Sequence, residues 1–588
     1  MRSLSLFVAT VVSAVAAACL WIWFDRPVDV QPSWNQPVAS VSFAPFRRGQ
    51  SPLSKIYPSA AQVDEDLHAL VGRTLGIRTY TAREGLGVVP DLAAKYGFKV
   101  TLGAWLTSEK KAKGKAANEA EIAALIKAAN AHPKTVQRVL VGNEVLLRGD
   151  LSPEKLIEYI RRVKAAIRQP VSYADVWTFY LRYPEVGREV DYVTIHTLPF
   201  WEDEPQAVDK ADGHIIDIVK RIRQVFPGKP ILIGEAGWPS IGRDRGPAVV
   251  STVNEARFVR QMAQLAATHH FDYNIVEAFD QPWKSALENT VGAAWGILDA
   301  DRKPKFNMAG PVTEVADWPL RATVAIGVGA LLTVLFARAI PGLVARVVFA
   351  LMAQLLCWLV VTTAFHAEAV SFRWWQDIWA ALRAALPALQ LIAILDRAAK
   401  LMSTPEGRLA DVADRWWGEA LTLLSGGYAL IWGMLLVFNG RYRDIPEIDF
   451  SVPTIGVTLL LLIRVVQALR QGAALTPALA LDGLFGAASI SASRRLRLIT
   501  WLSRGLLFAS AAVLVSEGLA IVGRDFVREH TTLAAQVPLI LRAMVSNREM
   551  NLWAAMLLLM AVPFTASLRL ARRQPAKAAP AAEAEAAG

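Results

Sequence analysis

Two stretches of the chain each end an apolar run in a carboxylate. Val139 to Val145 reads VLVGNEV and brings Asn143 and Glu144 to the end of an aliphatic run. Pro230 to Ser240 reads PILIGEAGWPS and ends its run at Glu235. Short β-branched runs bounded by Gly and Pro are strand signals. A carboxylate directly after such a run stands at a strand's C-terminal end, where (β/α)8 barrels build their active sites. Two carboxylates facing each other across a cleft suit glycoside hydrolysis. The oxocarbenium-like state needs negative charge on one face, and the leaving oxygen needs a proton on the other. At a separation of about 5–5.5 Å, one carboxylate acts as nucleophile and forms a covalent intermediate. A lone Glu at a strand end would as readily cap a helix or pair with an Arg. Two, each with such flanks, leave that explanation little room.

The elements needed to hold these groups are present. Val41–Phe46, Gly76–Thr81, Lys99–Leu106, Val136–Val145, Val171–Trp177, Asp191–Leu198, Pro230–Ala236 and Tyr273–Phe279 read as strands. Amphipathic stretches such as Ser152–Arg168 and Asp209–Phe226 lie between most of them. This alternation predicts an α/β fold, a (β/α)8 TIM barrel. Only the connection from the fifth strand to the sixth is short. Glu144 and Glu235 then end the fourth and seventh strands and converge on one cleft. Trp105, Trp177, Trp201, Trp238 and Trp283 all follow strands. Their rings are candidate platforms for the C–H faces of a sugar, with core packing as the alternative.

GNEV at 142–145 and GEAGWPS at 234–240 resemble the acid/base and nucleophile signatures of glycoside hydrolase family seventeen. These β-1,3-glucanases and glucanosyltransferases belong to a clan of retaining (β/α)8 glycosidases. Further matching pieces are SFAPFRRGQSP at 42–52, GIRTY at 76–80, HTLPFW at 196–201, EAFDQPWK at 277–284 and WGILDADRKPK at 295–305. The resemblance spans residues 38 to 310. It implies Glu144 as acid/base, Glu235 as nucleophile and Asn143 as the partner of the sugar 2-OH. It also implies that Arg78 and Tyr80 hold Glu235 ionised and oriented, and that Glu277 and Lys284 form an accessory polar pair. His196 would bond sugar or a catalytic carboxylate. A metal role for it is not expected, because no second His or carboxylate has ligand spacing around it. No cofactor is expected. The chain carries no Gly-rich phosphate loop, so a nucleotide-dependent synthase is not expected either.

The rest of the chain is built for lipid. Of 588 residues, 53% are hydrophobic and 20% charged, below the roughly 25% charged of soluble chains. That composition excludes a disordered protein. Two cysteines, Cys19 and Cys357, exclude a disulfide scaffold and a Cys-rich metal site. The net charge of +11 lies beside apolar segments, the pattern of membrane topology, so nucleic acid is not an expected partner.

Leu4–Phe24 is uncharged and long enough to span a bilayer. Residues 1–26 read as an uncleaved anchor, with a signal peptide as the alternative. Residues 27–37 read as a Pro-rich linker and 38–316 as the exported catalytic domain. Residues 317–572 read as an all-α multi-span domain of about seven helices, near 319–337, 344–365, 376–395, 418–439, 450–468, 499–522 and 550–570. Residues 573–588 read as a disordered cytoplasmic tail. Inside loops would hold Arg397, Lys400, Arg408 and Arg415, then Arg470, Arg494, Arg495 and Arg497, then Arg569, Arg572, Arg573 and Lys577. The expected placement is a bacterial inner membrane, with eight crossings and the barrel in the periplasm. Glu517 falls inside a span, with Arg504 and Arg524 near enough to pair with it.

This layout resembles the rhizobial β-(1→6)-glucan synthases linked with cyclic β-(1→3),(1→6)-glucans. The expected partners are a β-glucan oligo- or polysaccharide and the lipid bilayer. The membrane half either only anchors the barrel or meets a membrane glucan synthase or exporter. One helix already anchors, which favours the second reading.

Overall fold

The computed structural model describes residues 2–404, 417–440, 443–486, 492–522, 526–527 and 530–573. Arg408, Arg415, Arg524, Lys577 and residues 574–588 of the expected tail lie outside the described residues; Arg573 closes a helix. The chain divides into two compact units, Pro27–Ala316 and Met1–Arg26 with Asp317–Gly588.

The first unit is a closed barrel of eight parallel strands in sequence order, β1 pairing with β8. They are β1 (Val41–Ser42), β2 (Gly76–Arg78), β3 (Lys99–Ala104), β4 (Val136–Asn143), β5 (Val171–Val176), β6 (Val193–His196), β7 (Ile231–Ala236) and β8 (Asp272–Ile275). Most strands are followed by a helix whose buried face has helical spacing. Helix Pro153–Ala166 starts on a Ser152 cap, which accepts from the Lys155 N–H, and buries Leu156, Tyr159, Ile160 and Val163. Helix Ala211–Val225 buries Ile215, Ile218, Val219 and Ile222.

Several strands are shorter than their apolar runs. β1 is only two residues long, although Phe43 N–H still donates to Arg78 O on the neighbouring strand at 2.8 Å. After β8 the ladder gives way to cross-links: Glu277 N–H donates to Trp295 O at 2.7 Å and Ala278 N–H to Ser42 O at 3.0 Å. The short connection from β5 to β6 holds two helices, Trp177–Arg182 and Pro184–Glu189. They break at Tyr183, which precedes a proline and leaves the helical region.

Among the described residues of the second unit, eight helices are long and apolar enough to cross a membrane. They are Ser3–Phe24, Trp318–Ala339, Leu343–Ala369, Trp374–Ser403, Trp417–Phe438, Ser451–Arg470, Ser493–Leu519 and Arg548–Arg573. A further apolar helix, Leu533–Ser546, falls in the stretch that reads from sequence as a loop. Its 14 residues span about 21 Å, too short to cross a bilayer core. Arg383, a charge within an apolar run, pairs with Asp449 at 2.8 Å. Glu517 accepts from Asn547 Nδ2 at 2.8 Å; of the two arginines near it in sequence, Arg504 is exposed and Arg524 lies outside the described residues.

A buried ionic cluster ties the end of the barrel together. Lys305 Nζ lies 2.9 Å from Asp280 Oδ1 and 3.0 Å from Glu255 Oε2, and donates to Ser240 Oγ at 2.8 Å. It thereby links the segments after β7 and β8 to helix Thr252–His269. Burial raises both carboxyls above their ordinary values, and the Lys305 charge opposes it. Breaking a buried pair leaves uncompensated charge and costs about 3–5 kcal/mol. Lys305→Met is therefore expected to lower stability by that amount at neutral pH. A carboxyl raised in the fold contributes stability at low pH and loses it as pH rises through the folded value. The variant should regain part of its stability on acidification toward the ordinary carboxylate range. Chemical unfolding of the detergent-solubilised chain at several pH values checks this; a loss independent of pH would contradict it.

Candidate active site

The site is built where β4 ends. Gly142 has φ +94° and Glu144 φ +50°, and the β4–β5 register breaks between Leu140 and Asn143. Glycine adopts positive φ freely, while a non-Gly residue there is held by its surroundings. A Cβ on Gly142 would lie 2.8 Å from Val145 Cγ2. The kink sends Asn143 toward β2 and Glu144 toward β6. Glu144 N–H still donates to Ala174 O at 2.8 Å.

Arg78, at the end of β2, is 1% exposed. Its Nη1 donates to Gly234 O at 2.6 Å and to Glu235 Oε1 at 3.1 Å; its Nη2 donates to Asn143 Oδ1 at 2.5 Å. Nη2 also approaches His196 Nε2 at 3.4 Å. Tyr80 Oη lies 2.9 Å from both Glu235 Oε1 and Ser42 Oγ. Burial, reinforced by the Glu235 charge, pushes the Tyr80 phenol well up, so it donates its proton to the carboxylate.

His196 ends β6 and is likewise 1% exposed. Its Nδ1 lies 2.9 Å from Glu144 Oε1, and its Nε2 3.6 Å from Glu235 Oε1. A proton on Nδ1 donates to Glu144, in the neutral ring and in the imidazolium alike. Burial raises the Glu144 carboxyl. The His196 bond and the charges of His196, Arg148 and Arg78 outweigh that and hold it below the ordinary value.

One ligand-type atom from each of Glu144, His196 and Glu235 lies within 4.8 Å of the other two. Sequence spacing around His196 did not suggest this trio, which barrel closure assembles from three strands. The Arg78 guanidinium, within 3.1 Å of Glu235 and 3.4 Å of His196, supplies positive charge at the same place. The proximity of the two carboxylates matches the roughly 5 Å of retaining glycosidases, against about 6.5–9.5 Å for inverting ones.

Glu277 is fully buried, and Lys284 Nζ donates to it at 2.5 Å. Burial lifts the Glu277 carboxyl to about 7, with Lys284 opposing. Glu288, four residues further along, is not apparent from sequence as a site residue. Burial raises its carboxyl, and the charges of Glu144 and Glu235 add to this, so all three share one electrostatic environment.

The tryptophans divide. Trp105 is 43% exposed, with Arg148 Cζ 4.4 Å above its ring centroid. Trp201 stacks on Trp295 at 6.2 Å. Trp177 is half-buried and bonds Glu202 at 3.2 Å. Trp283 is half-buried and bonds Gln281 at 2.8 Å. Trp238 corrects its reading as a platform: it is 0% exposed, packs on Phe200 and Phe258 and donates Nε1–H to Val249 O. With no accessible face, it belongs to the core. Tyr173, Asp175 and Arg148 also border the site without a sequence signal, because each is brought there by a neighbouring strand or loop.

A closed (β/α)8 barrel with two carboxylates this close at the ends of β4 and β7 defines a glycosidase of the retaining type. A family model for the BtgE/BtgC glycoside hydrolase domain matches residues 40–296. A glucan 1,3-β-glucosidase of Arthroderma benhamiae is 30% identical over 276 residues, 44% of this chain and 87% of that protein. One of Schizosaccharomyces pombe is 26% identical over 261 residues, 41% of this chain and 79% of that protein. A glycoside hydrolase family 17 β-1,3-glucanosyltransferase structure from Rhizomucor miehei is 25% identical, with TM-score 0.41, covering 46% of this chain and 98% of that one. The chain belongs to this glycoside hydrolase family, as its motifs imply. It is a glycosidase or transglycosylase.

Arg78→Met removes the donor shared by Glu235, Asn143 and Gly234. Loss of one member of a buried charge pair predicts destabilisation of about 3–5 kcal/mol. An unchanged unfolding midpoint in denaturant would remove Arg78 as the support of this site.

Proposed function

We propose that the protein is a membrane-bound retaining enzyme on β-1,3-glucan, working through a glycosyl–Glu235 intermediate. The observation that carries this is the close Glu144–Glu235 pair, with Arg78 and Tyr80 on one carboxylate and His196 on the other. β-1,3-Glucan is taken from the names of the relatives.

The Glu235 carboxylate attacks the anomeric carbon as the glycosidic C–O bond breaks. Glu144 first takes up a proton, against the His196 contact that holds its carboxyl below the ordinary value, and gives it to the departing sugar oxygen. An incoming hydroxyl then attacks the same carbon, passes its proton to Glu144 and releases Glu235. Asn143, fixed by Arg78, is placed to bond the sugar 2-OH. Well-oriented acceptors act at effective molarities far above that of water, so a bound sugar hydroxyl displaces hydrolysis. The reading extends to a glucanosyltransferase that forms β-1,6 links in cyclic β-(1,3),(1,6)-glucan, on the strength of the layout of anchor, barrel and multi-span half. The eight apolar helices support a multi-pass membrane protein, and the reading extends to a bacterial inner membrane with the barrel in the periplasm. An endo-β-1,3-glucanase would share every one of these residues.

The test is incubation of the solubilised chain with β-1,3-gluco-oligosaccharides, with products read by mass and by NMR linkage. Products longer than the donor, with β-1,6 links, are expected; only shorter products would make the protein a hydrolase. Glu235→Gln is expected to fold and lose turnover, and substantial residual activity would remove Glu235 as nucleophile. His196→Ala removes the donor and charge that lower Glu144 and leaves burial to raise it. A proton donor works below its titration point, so the alkaline limb of kcat/KM should move to higher pH. A limb that stays in place or falls would contradict the role of His196.

A further inference from the structure

Asp175 is a fully buried carboxylate at the end of β5 that the mechanism above leaves unused. Three consecutive β5 residues attach to the turn that carries Glu144. Ala174 O accepts Glu144 N–H at 2.8 Å, Tyr173 Oη accepts Leu146 N–H at 2.9 Å, and Asp175 Oδ2 accepts Leu147 N–H at 3.3 Å. The Tyr173 hydroxyl donates in turn to Asp175 Oδ2, and Val176 N–H donates to Oδ1 at 2.8 Å. This turn begins at Glu144 with φ +50°. A side chain in that conformation keeps its aim only where the following residues are held. β5 holds them, and neither Tyr173 nor Asp175 is exposed to a substrate.

We propose that Asp175 and Tyr173 are positioning residues for proton transfer by Glu144, fixing its turn through the Leu146 and Leu147 amides. The proposal rests on the acid/base reading of Glu144. Burial lifts the Asp175 carboxyl to about 6, and the Glu144 charge adds to this, as expected of two carboxyls in close quarters.

The test compares two donors with different needs for a proton. A β-1,3-gluco-oligosaccharide has a sugar hydroxyl as leaving group and needs Glu144. The 2,4-dinitrophenyl β-glycoside of the same glucan releases dinitrophenolate without protonation. Asp175→Asn keeps the side chain's shape, and Tyr173→Phe keeps the ring in place. For each, kcat/KM on the oligosaccharide is expected to fall roughly 10- to 100-fold, the size of a small misplacement. On the dinitrophenyl donor it should stay within about threefold, because attack by Glu235 is untouched. A fold defect would lower both equally, and equal losses or no loss in both variants would overturn the proposal. Glu144→Ala separates the two layers. If it too shows no dependence on the leaving group, the acid/base reading falls and takes this proposal with it. If it shows the dependence while the β5 variants do not, only the positioning role falls.

Discussion

The buried guanidinium of Arg78 is the constraint on which the site depends. It holds β2, β4 and β7 at a common level by bonding the Asn143 amide, the Glu235 carboxylate and the Gly234 carbonyl. A cation removed from water needs anionic and polar partners around it. Those partners are the groups placed to meet a sugar. The same contacts that satisfy Arg78 therefore fix the aim of Asn143 and Glu235.

Around that pivot the two carboxylates receive different surroundings. Glu235 takes donors from Arg78 and Tyr80, both fixed by the barrel wall. Glu144 stands on a kinked strand end, contacts His196 and is held through its turn by β5. One group is set into rigid wall, while the other sits on a turn and bonds the titratable ring of His196. Such an asymmetry is what allows two like groups to take different roles in one reaction.

Much of the barrel was legible because hydrophobic periodicity and strand-end motifs are local signals. The eight strand regions and the carboxylates at 144 and 235 sit on or beside apolar runs, while Arg78 and Tyr80 are implied as site residues only by the family resemblance. Strand ends are overrun in the sequence, as at β8, because hydrophobicity continues after the regular ladder stops. Leu533–Ser546 escaped notice because a short apolar helix interrupted by Pro538 resembles a loop. Trp238 was misplaced because a Trp after a strand reads alike whether it faces the cleft or the helix layer.

The sequence by itself determined the alternation of strands and helices, the long apolar helices and which residue types end β4 and β7, since each depends on neighbours in the chain. Only the tertiary structure decided that Glu144, His196 and Glu235 meet within 4.8 Å, that Trp238 is core, and that Tyr173 and Asp175 brace a turn on the neighbouring strand. Those contacts join residues far apart in sequence. They exist because closing the barrel sets β4 beside β5 and aims β2, β4, β6 and β7 at one axis.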